Sequence, residues 1–364
     1  MILFLFITIS LGVILLISIY NLFTAPVIKS STIKSSEDAL ISVLIPARNE
    51  EINIGKCLNS LLKQDYKNLE ILVLNDQSID GTPQVVESYS QRHKNIKLLK
   101  GDELPTGWLG KNWACEQLSQ KAKGDYLLFI DSDVEVKEKT ISSILEELTR
   151  SEVKMISVFP TQIIKSAGEW LVVPVMNWLL LSFLPLRLVH LNHNKSFAAA
   201  NGQFMFWERK TYFKIGGHQK VKNKVVEDVE FARICKSKNI KIKTILGGDL
   251  IYCRMYTGLS KAIKGFSKNF YPGFNVNPLV FLIMITFFIL IFLLPYIFIF
   301  NSSSFFLPVF LILLIRTSVS IVSKQNIFVN ILFHPLQMIF MVIIGIKSVI
   351  DSKTGNSEWK GRRF

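Results

Sequence analysis

Cysteine is scarce in this chain, and the little there is forms no pattern. Cys57, Cys115, Cys235 and Cys253 include no C-x-x-C pair, which argues against a metal knuckle or disulfide framework and fits a reducing compartment. Acids are also short, 28 against 42 lysines and arginines, leaving a net charge of +14. No basic run, zinc spacing or aromatic-basic module accompanies that excess, so nucleic acid is set aside as a partner. The charge suits cytoplasmic loops and anionic lipid head groups instead. Charge is missing altogether from Ile2 to Phe23. That run is long enough to span a bilayer at about 20 residues. With no basic residues before it and no small-residue cleavage site after it, it reads as an anchor, not a cleaved signal.

Hydrophobic residues make up 49% of the 364, too many for a soluble enzyme of this size, and they concentrate at the two ends. The expected organisation is an anchor at 1–23, a Pro/Ser/Thr/Lys linker at 24–39 and an α/β domain at 40–250, divided near residue 136. An amphipathic segment at 251–277, apolar stretches within 278–350 and a basic tail at 351–364 follow. Lys29 and Lys34 are the first charges after the anchor, which favours a cytoplasmic middle domain. His334-Pro335 breaks the last apolar stretch. Four simple spans would put the basic tail outside, against the positive-inside expectation, whereas a re-entrant last stretch would return it inward, and the sequence leaves both arrangements open.

Within the middle domain, Leu40–Ile45, Leu69–Leu74, Ile96–Leu99 and Tyr126–Ile130 are short apolar runs of the kind buried in a parallel sheet. Helical spacing separates them over Ile52–Lys63 and from Pro83 to about Arg92, which predicts a doubly wound sheet. Ligands bind beyond the carboxyl ends of such strands. Arg48 and Glu50, Asp76, and Asp131 with Asp133 all stand there. Continued strand alternation would send Asp131 and Asp133 to one side and Ser132 to the other. Two carboxylates together repel unless a cation sits between them, and their hard oxygens suit Mg²⁺ or Mn²⁺.

A second constellation lies at Ala198–Trp207, Gly216-Gly217-His218 and Glu227-Asp228. Carboxylates at a helix start are favoured by the dipole, so helix capping explains Glu227 and Asp228 adequately on its own. Lys111, in Gly107-Trp108-Leu109-Gly110-Lys111-Asn112-Trp113-Ala114-Cys115, reads as an exposed lysine at a helix start. Trp170–His190, with Pro174 and Pro185, is expected to lie in the membrane interface or line an acceptor. Leu259–Phe274 alternates Lys261, Lys264 and Lys268 with Ile263, Phe266, Phe270 and Tyr271, the pattern of a helix lying on an anionic leaflet.

Val43-Leu44-Ile45-Pro46-Ala47-Arg48-Asn49-Glu50-Glu51, Val73-Leu74-Asn75-Asp76-Gln77-Ser78-Ile79-Asp80-Gly81-Thr82 and Asp131-Ser132-Asp133 together resemble family 2 glycosyltransferases. The resemblance implies the GT-A fold, with Pro46, Arg48, Glu50, Asp76, Lys111 and Asp131 at the nucleotide-sugar donor. It implies a divalent metal on Asp133 helped by Asp131, and Asp228 as the base with Glu227 beside it. Trp207, Arg254, Tyr256 and Lys268 are the expected acceptor and interface residues. G-W-L-G-K-x-x-A-C, R-M-Y, H-P-L and Glu358-Trp359-Lys360-Gly361-Arg362 resemble a membrane-bound subgroup of the family that acts on carotenoid acids.

The implied activity is transfer of one sugar from a UDP-glucose-like donor to a lipid-soluble acceptor at the cytoplasmic face. Processive polysaccharide or polyprenyl-phosphate transfer is the enzymatic alternative, although the Q-x-x-R-W of polymer synthases is missing. A membrane binding partner without turnover is the non-enzymatic one.

Overall fold

Every residue from Ile41 to Ala47 is buried, as the apolar spelling of a two-face-covered strand requires. The computed structural model describes residues 1–31 and 39–355, with the backbone of 358–359 and 362–363. Of the expected linker, residues 32–38 lie outside the described residues. So do Lys360 and the side chains of the tail beyond Gly355.

After helix α1 (Ile2–Thr24) come β1 (Ile41–Ala47), α2 (Ile54–Leu62), β2 (Leu69–Asn75), α3 (Thr82–Ser90), β3 (Ile96–Lys100), α4 (Gly110–Lys121) and β4 (Tyr126–Ile130). Then follow β5 (Val134–Val136), α5 (Thr140–Arg150), β6 (Met155–Phe159), β7 (Thr161–Gln162), α6 (Ala167–Trp170), α7 (Pro174–Phe183) and α8 (Leu188–Leu191). The α/β domain closes with β8 (Phe204–Glu208), α9 (Arg209–Lys214), α10 (Glu227–Ser237), β9 (Ile242–Leu246) and β10 (Ile251–Cys253). The C-terminal helices are α11 (Leu259–Phe274), α12 (Pro278–Phe292), α13 (Leu294–Phe298), α14 (Phe306–Val322) and α15 (Ile327–Thr354).

The main sheet runs β3-β2-β1-β4-β8-β6-β9. Strands β1 to β4 are parallel, while β8 is inserted antiparallel between β4 and β6. The order reverses between β1 and β4, and that reversal is where an open α/β sheet leaves a crevice for ligand. Side chains alternate across the sheet. Val43, Ile45, Leu128 and Ile130 join the core under α2 and α5, while Leu44, Leu127 and Phe129 join the core of the opposite face.

That opposite core does not stop at the domain. It continues through Trp178 of α7 into Phe288 and Phe292 of α12, whose rings stand 5.9 and 4.8 Å away. Helix α1 buries Ile7, Leu11, Ile14, Ser18 and Asn21, a stripe of 3–4 spacing. Asn21 Nδ2 donates to the carbonyls of Leu181 and Leu184, and its Oδ1 accepts from Leu186 N–H. Trp170–His190 is therefore a buried seat between sheet and helices instead of an interfacial strip, because Val173, Trp178 and Leu181 are covered on all sides.

Among the described residues, four helices are long and apolar enough to cross a membrane: 2–24, 278–298, 303–322 and 327–354. The break expected at His334-Pro335 does not occur, since α15 runs as one helix of 28 residues with Pro335 inside it. At about 1.5 Å per residue it measures about 42 Å. The start of α15 is tied to the α/β domain and its end to α11. Just before its start, Lys324 pairs with Asp249, and near its end Ser348 Oγ accepts from the backbone of Tyr271 in α11. The apolar side of α11 is covered by Ile344 of α15 and Val172, while Lys261 and Lys264 remain exposed.

Candidate active site

Strand β4 ends at Ile130, so the alternation expected across Asp131-Ser132-Asp133 does not apply. A turn forms instead, closed by Val134 N–H to Asp131 O at 3.1 Å, and Ser132 is buried beneath it. Asp131 and Asp133 both act electrostatically on the thiols of Cys57 and Cys253 and on the Tyr256 phenol, which places the two carboxylates over one patch.

Opposite this turn lies Asn201-Gly202-Gln203, leading into β8. Asp131 N–H donates to Gln203 O at 3.0 Å, and Gly202 N–H donates to Asp228 Oδ2 at 2.7 Å. Lys111 Nζ reaches Asp131 Oδ1 at 2.9 Å and Oδ2 at 3.1 Å, Gly202 O at 3.2 Å and Glu227 Oε1 at 3.4 Å. One ammonium thus joins the D-x-D turn to the start of α10. A Cβ on Gly202 would lie 2.9 Å from Glu227 Oε1, 3.2 Å from Lys111 Nζ and 3.4 Å from Asp228 Oδ2. Only glycine lets three charged side chains converge on this backbone without displacement.

Lys111 is brought there by α4, and α4 is pinned by Asn112. Asn112 Nδ2 is within donating distance of the carbonyls of Val221, Lys222 and Lys224, in the loop that leads to Glu227. Burial alone would push the Lys111 ammonium down, but Asp131 and Glu227 more than offset it and hold its pKa well above the usual lysine value. Asp228 moves the other way. Desolvation and then repulsion from Glu227 push it up to about 7, against the N–H groups of Val229 and Gly202 that favour its anion. A carboxylate tuned near neutrality can take a proton and later release it. Lys268 of α11 feels the same group: burial lowers it to about 8, Glu227 opposing and Lys111 reinforcing the shift.

The remaining expected residues fall into two sets. Arg48 Nη1 donates to the carbonyls of Asp76 and Gln77, and Asp76 N–H donates to Ala47 O. The loops after β1 and β2 are thereby locked together beside the β4 turn. Glu50 Oε2 accepts from Asn53, and Pro46 is buried inside β1. Arg254 is held by Glu169 at 2.9 Å, and Glu169 also accepts from Gly258 N–H. Burial would raise that carboxyl, but Arg254 and the backbone donors hold it down at about 2. Arg254 therefore secures the approach to α11. Tyr256 packs at a tilt against Phe266, with ring centroids 5.6 Å apart.

Trp207 requires correction. It is fully buried in β8, paired with Leu127 and packed on Tyr212 and Phe231, so it belongs to the core and offers nothing to an acceptor. His218 is a core residue too: burial, then Lys111, lowers it to about 3, and its Nδ1 bonds the Tyr212 hydroxyl at 2.7 Å. Gly202, Gln203 and Asn112 lie in stretches the sequence singles out, but no role was assigned to them individually. The N-G-Q triplet just ahead of an aromatic strand was the available signal, but nothing local says which side chains will converge on it.

A divalent cation would find hard oxygens on Asp133 and Asp131. Among the described residues no group of three or more His, Cys, Asp or Glu is gathered for one. Mg²⁺ and Mn²⁺ take one or two carboxylates and complete their shell with substrate phosphates, so a pair of aspartates could hold one. Asp131 has both oxygens against Lys111, so it would share any such cation with that ammonium.

Residues 42–211 match the family described as Glycosyl transferase family 2. The 4,4'-diaponeurosporenoate glycosyltransferase of Staphylococcus haemolyticus is 26% identical over 236 residues, 64% of this chain and 61% of that protein. The Staphylococcus aureus (strain USA300) enzyme of the same name is 25% identical over 250 residues, 68% of this chain and 64% of its own length. The chain thus spans under two thirds of the length of these curated relatives. In structure it resembles the mannosyltransferase PcManGT from Pyrobaculum calidifontis, solved with GDP-Man and Mn²⁺. The TM-score is 0.57 at 15% identity, over 95% of this chain and 98% of that one, which supports the shared fold.

Proposed function

We propose that this chain, which carries a glycosyl transferase family 2 domain over residues 42–211, is a membrane-bound inverting glycosyltransferase. It moves one sugar from a nucleoside diphosphate donor to a lipid-soluble acceptor. The observation that carries the reading is the convergence on Gly202 of Asp228, Glu227 and Lys111, with Asp131 at the other end of Lys111. Asp228 would stand at the acceptor side and the D-x-D turn at the diphosphate side.

In the proposed displacement the acceptor oxygen bonds to the anomeric carbon while the bond from that carbon to the diphosphate oxygen breaks. Asp228 takes the acceptor's proton, and its upward shift to about 7 makes it basic enough to do so. Arg48, Glu50 and Asp76 hold the nucleotide end, and Lys111 keeps positive charge beside the departing diphosphate. A divalent cation on Asp133 and Asp131 would neutralise that leaving group. Four apolar helices and the exposed Lys261 and Lys264 of α11 support a membrane location with the domain on the cytoplasmic face. The carotenoid-acid relatives favour an acceptor of that kind over a polysaccharide chain.

The reading is tested with the full chain in detergent, a panel of nucleotide sugars and a membrane lipid extract. A sugar-bearing lipid in the organic phase supports it. Equal transfer to a soluble oligosaccharide overturns the lipid acceptor, and no nucleotide release from any donor overturns the enzyme. Asp133→Ala is expected to abolish the metal-dependent part of UDP affinity in calorimetry, and an unchanged titration removes Asp133 as the ligand.

A further inference from the structure

Among the apolar helices sits a second buried polar group that sugar transfer does not use. Arg316 of α14 is fully buried within a segment apolar enough to span a membrane. Its Nη2 donates to Asn330 Oδ1 at 2.8 Å and Gln337 Oε1 at 2.6 Å, while Nε and Nη1 have no partner. Among the described residues no carboxylate acts on it. Tyr296 of α13 and His334 of α15 lie within its electrostatic reach, and the Trp178 ring is 6.0 Å from that of His334. The Tyr296 hydroxyl, both His334 nitrogens and Trp178 Nε1 are likewise buried and unpartnered.

The inventory is lopsided. Arg316 Nε and Nη1 and Trp178 Nε1 only donate, a neutral His334 offers one acceptor, and the Tyr296 hydroxyl can serve either way. Donors exceed acceptors, and the cluster carries a formal positive charge with no acid to balance it. An ionisable residue at membrane depth is expensive and normally faces a counter-charge or a ligand. Water could satisfy the donors but would leave the charge unbalanced.

We infer that Arg316, with Tyr296 and His334, forms a binding site for an anionic group, a carboxylate or phosphate, carried on a membrane lipid. The guanidinium keeps its Nε–H and its Nη1–H groups free to donate to such an anion, while Nη2 is held by Asn330 and Gln337. A lipid-borne anion is favoured over a free one because the helices around the site turn Phe306, Phe310, Leu332 and Leu336 outward, so its approach is apolar. The site is also linked to the catalytic domain. Gln337 Nε2 donates to Trp170 O, and Trp170 adjoins Glu169, which holds Arg254 ahead of α11. The inference does not depend on sugar transfer, and its test reads binding alone.

Thermal unfolding of the full chain in a neutral detergent is followed with lysophosphatidylglycerol, with lysophosphatidylcholine of the same acyl chain, and with inorganic phosphate at equal concentration. A ligand that binds only the folded state raises Tm. Lysophosphatidylglycerol is expected to raise it by several degrees more than either control. Arg316→Gln, which keeps a hydrogen-bonding head toward Asn330, is expected to lose that extra shift, and Lys261→Ala/Lys264→Ala to keep it. Equal shifts with both lipids, or with inorganic phosphate, overturn the inference. So does an Arg316→Gln protein that still responds, or a response lost with the two surface lysines. Should Arg316→Gln not fold, Tyr296→Phe is read instead: a diminished shift supports the site and an undiminished one overturns it.

Discussion

Lys111 and Arg316 are both cations withdrawn from bulk water, yet their surroundings are opposite. Lys111 has Asp131 at 2.9 Å and Glu227 at 3.4 Å, so its charge is compensated from within the chain. Among the described residues, Arg316 has only the amide oxygens of Asn330 and Gln337 as hydrogen-bond partners. In the first cluster the acids outnumber the lysine, leaving negative charge to attract a metal and a proton. In the second the donors are in surplus, leaving positive charge. Buried charge here is informative by its sign and its remainder: the compensated cluster holds residues in position for chemistry, and the uncompensated one calls for a ligand.

The largest expected effect breaks the first cluster at its base. Asp228→Asn should lower transfer at least about 10²-fold, the low end for losing a general base, with UDP affinity little changed. Both Asp228 oxygens accept backbone N–H groups, from Val229 and Gly202, and asparagine can replace only one of them. Transfer rate, UDP affinity and Tm are therefore read on one preparation. Near-normal transfer would pass the role to Glu227.

Gly202→Ala tests whether convergence matters apart from any charge. Its Cβ must displace Glu227, Lys111 or Asp228 by some tenths of an ångström, and since a misplacement of about 1 Å can cost about 10²-fold, a smaller but measurable loss is expected. Transfer should fall while the far-ultraviolet circular dichroism stays unchanged. Full activity would show that the three groups need not meet.

The two cations are then compared directly in stability. Lys111→Met leaves Asp131 and Glu227 facing each other and should cost less than the about 3 kcal/mol of a fully buried pair, because the Lys111 and Asp131 side chains keep 20% and 28% exposure. Arg316→Met removes an unbalanced charge and, without lipid added, should change stability by under about 1 kcal/mol. Denaturant unfolding of the two variants in one detergent decides it, and equal losses would erase the distinction.

The smallest effect is graded. With Asp228 near 7, its base form fills in as pH rises, so transfer should fall about tenfold per unit below that point. Stability runs the other way. A carboxyl raised above its unfolded value of 3.8 contributes fully below that value, and the contribution is lost as pH climbs through about 7. Paired rate and unfolding profiles check both signs, and a flat rate profile between pH 5 and 8 would exclude Asp228 as the titrating base.

Much of this was legible in the residue order, because strands β1 to β4, their crossover helices and the D-x-D turn are built from contiguous residues. Apolar runs bounded by turn residues specify buried strands wherever they occur, and uncharged runs of membrane length specify the outer helices. Arg48, Asp76 and Asp131 could be placed beyond strand ends by the same local logic. The sequence by itself therefore determined an α/β domain between apolar ends and the set of polar residues at its ligand edge.

What it did not determine are the meetings. Lys111 and Asp131 are 20 residues apart, Gly202 and Asp228 26 apart, and no periodicity carries across such gaps. They depend on β8 entering antiparallel beside β4 and on Asn112 tying α4 to the loop before α10. Trp207 looked like a ligand contact because an aromatic at a strand end is ambiguous until its neighbours are known. Pro335 looked like a break because the energy that keeps α15 continuous comes from packing against α11, α12 and α14. Which buried charges find partners, and which are left waiting for one, was decided by the tertiary structure alone, since compensation is a property of distance in space and not of order along the chain.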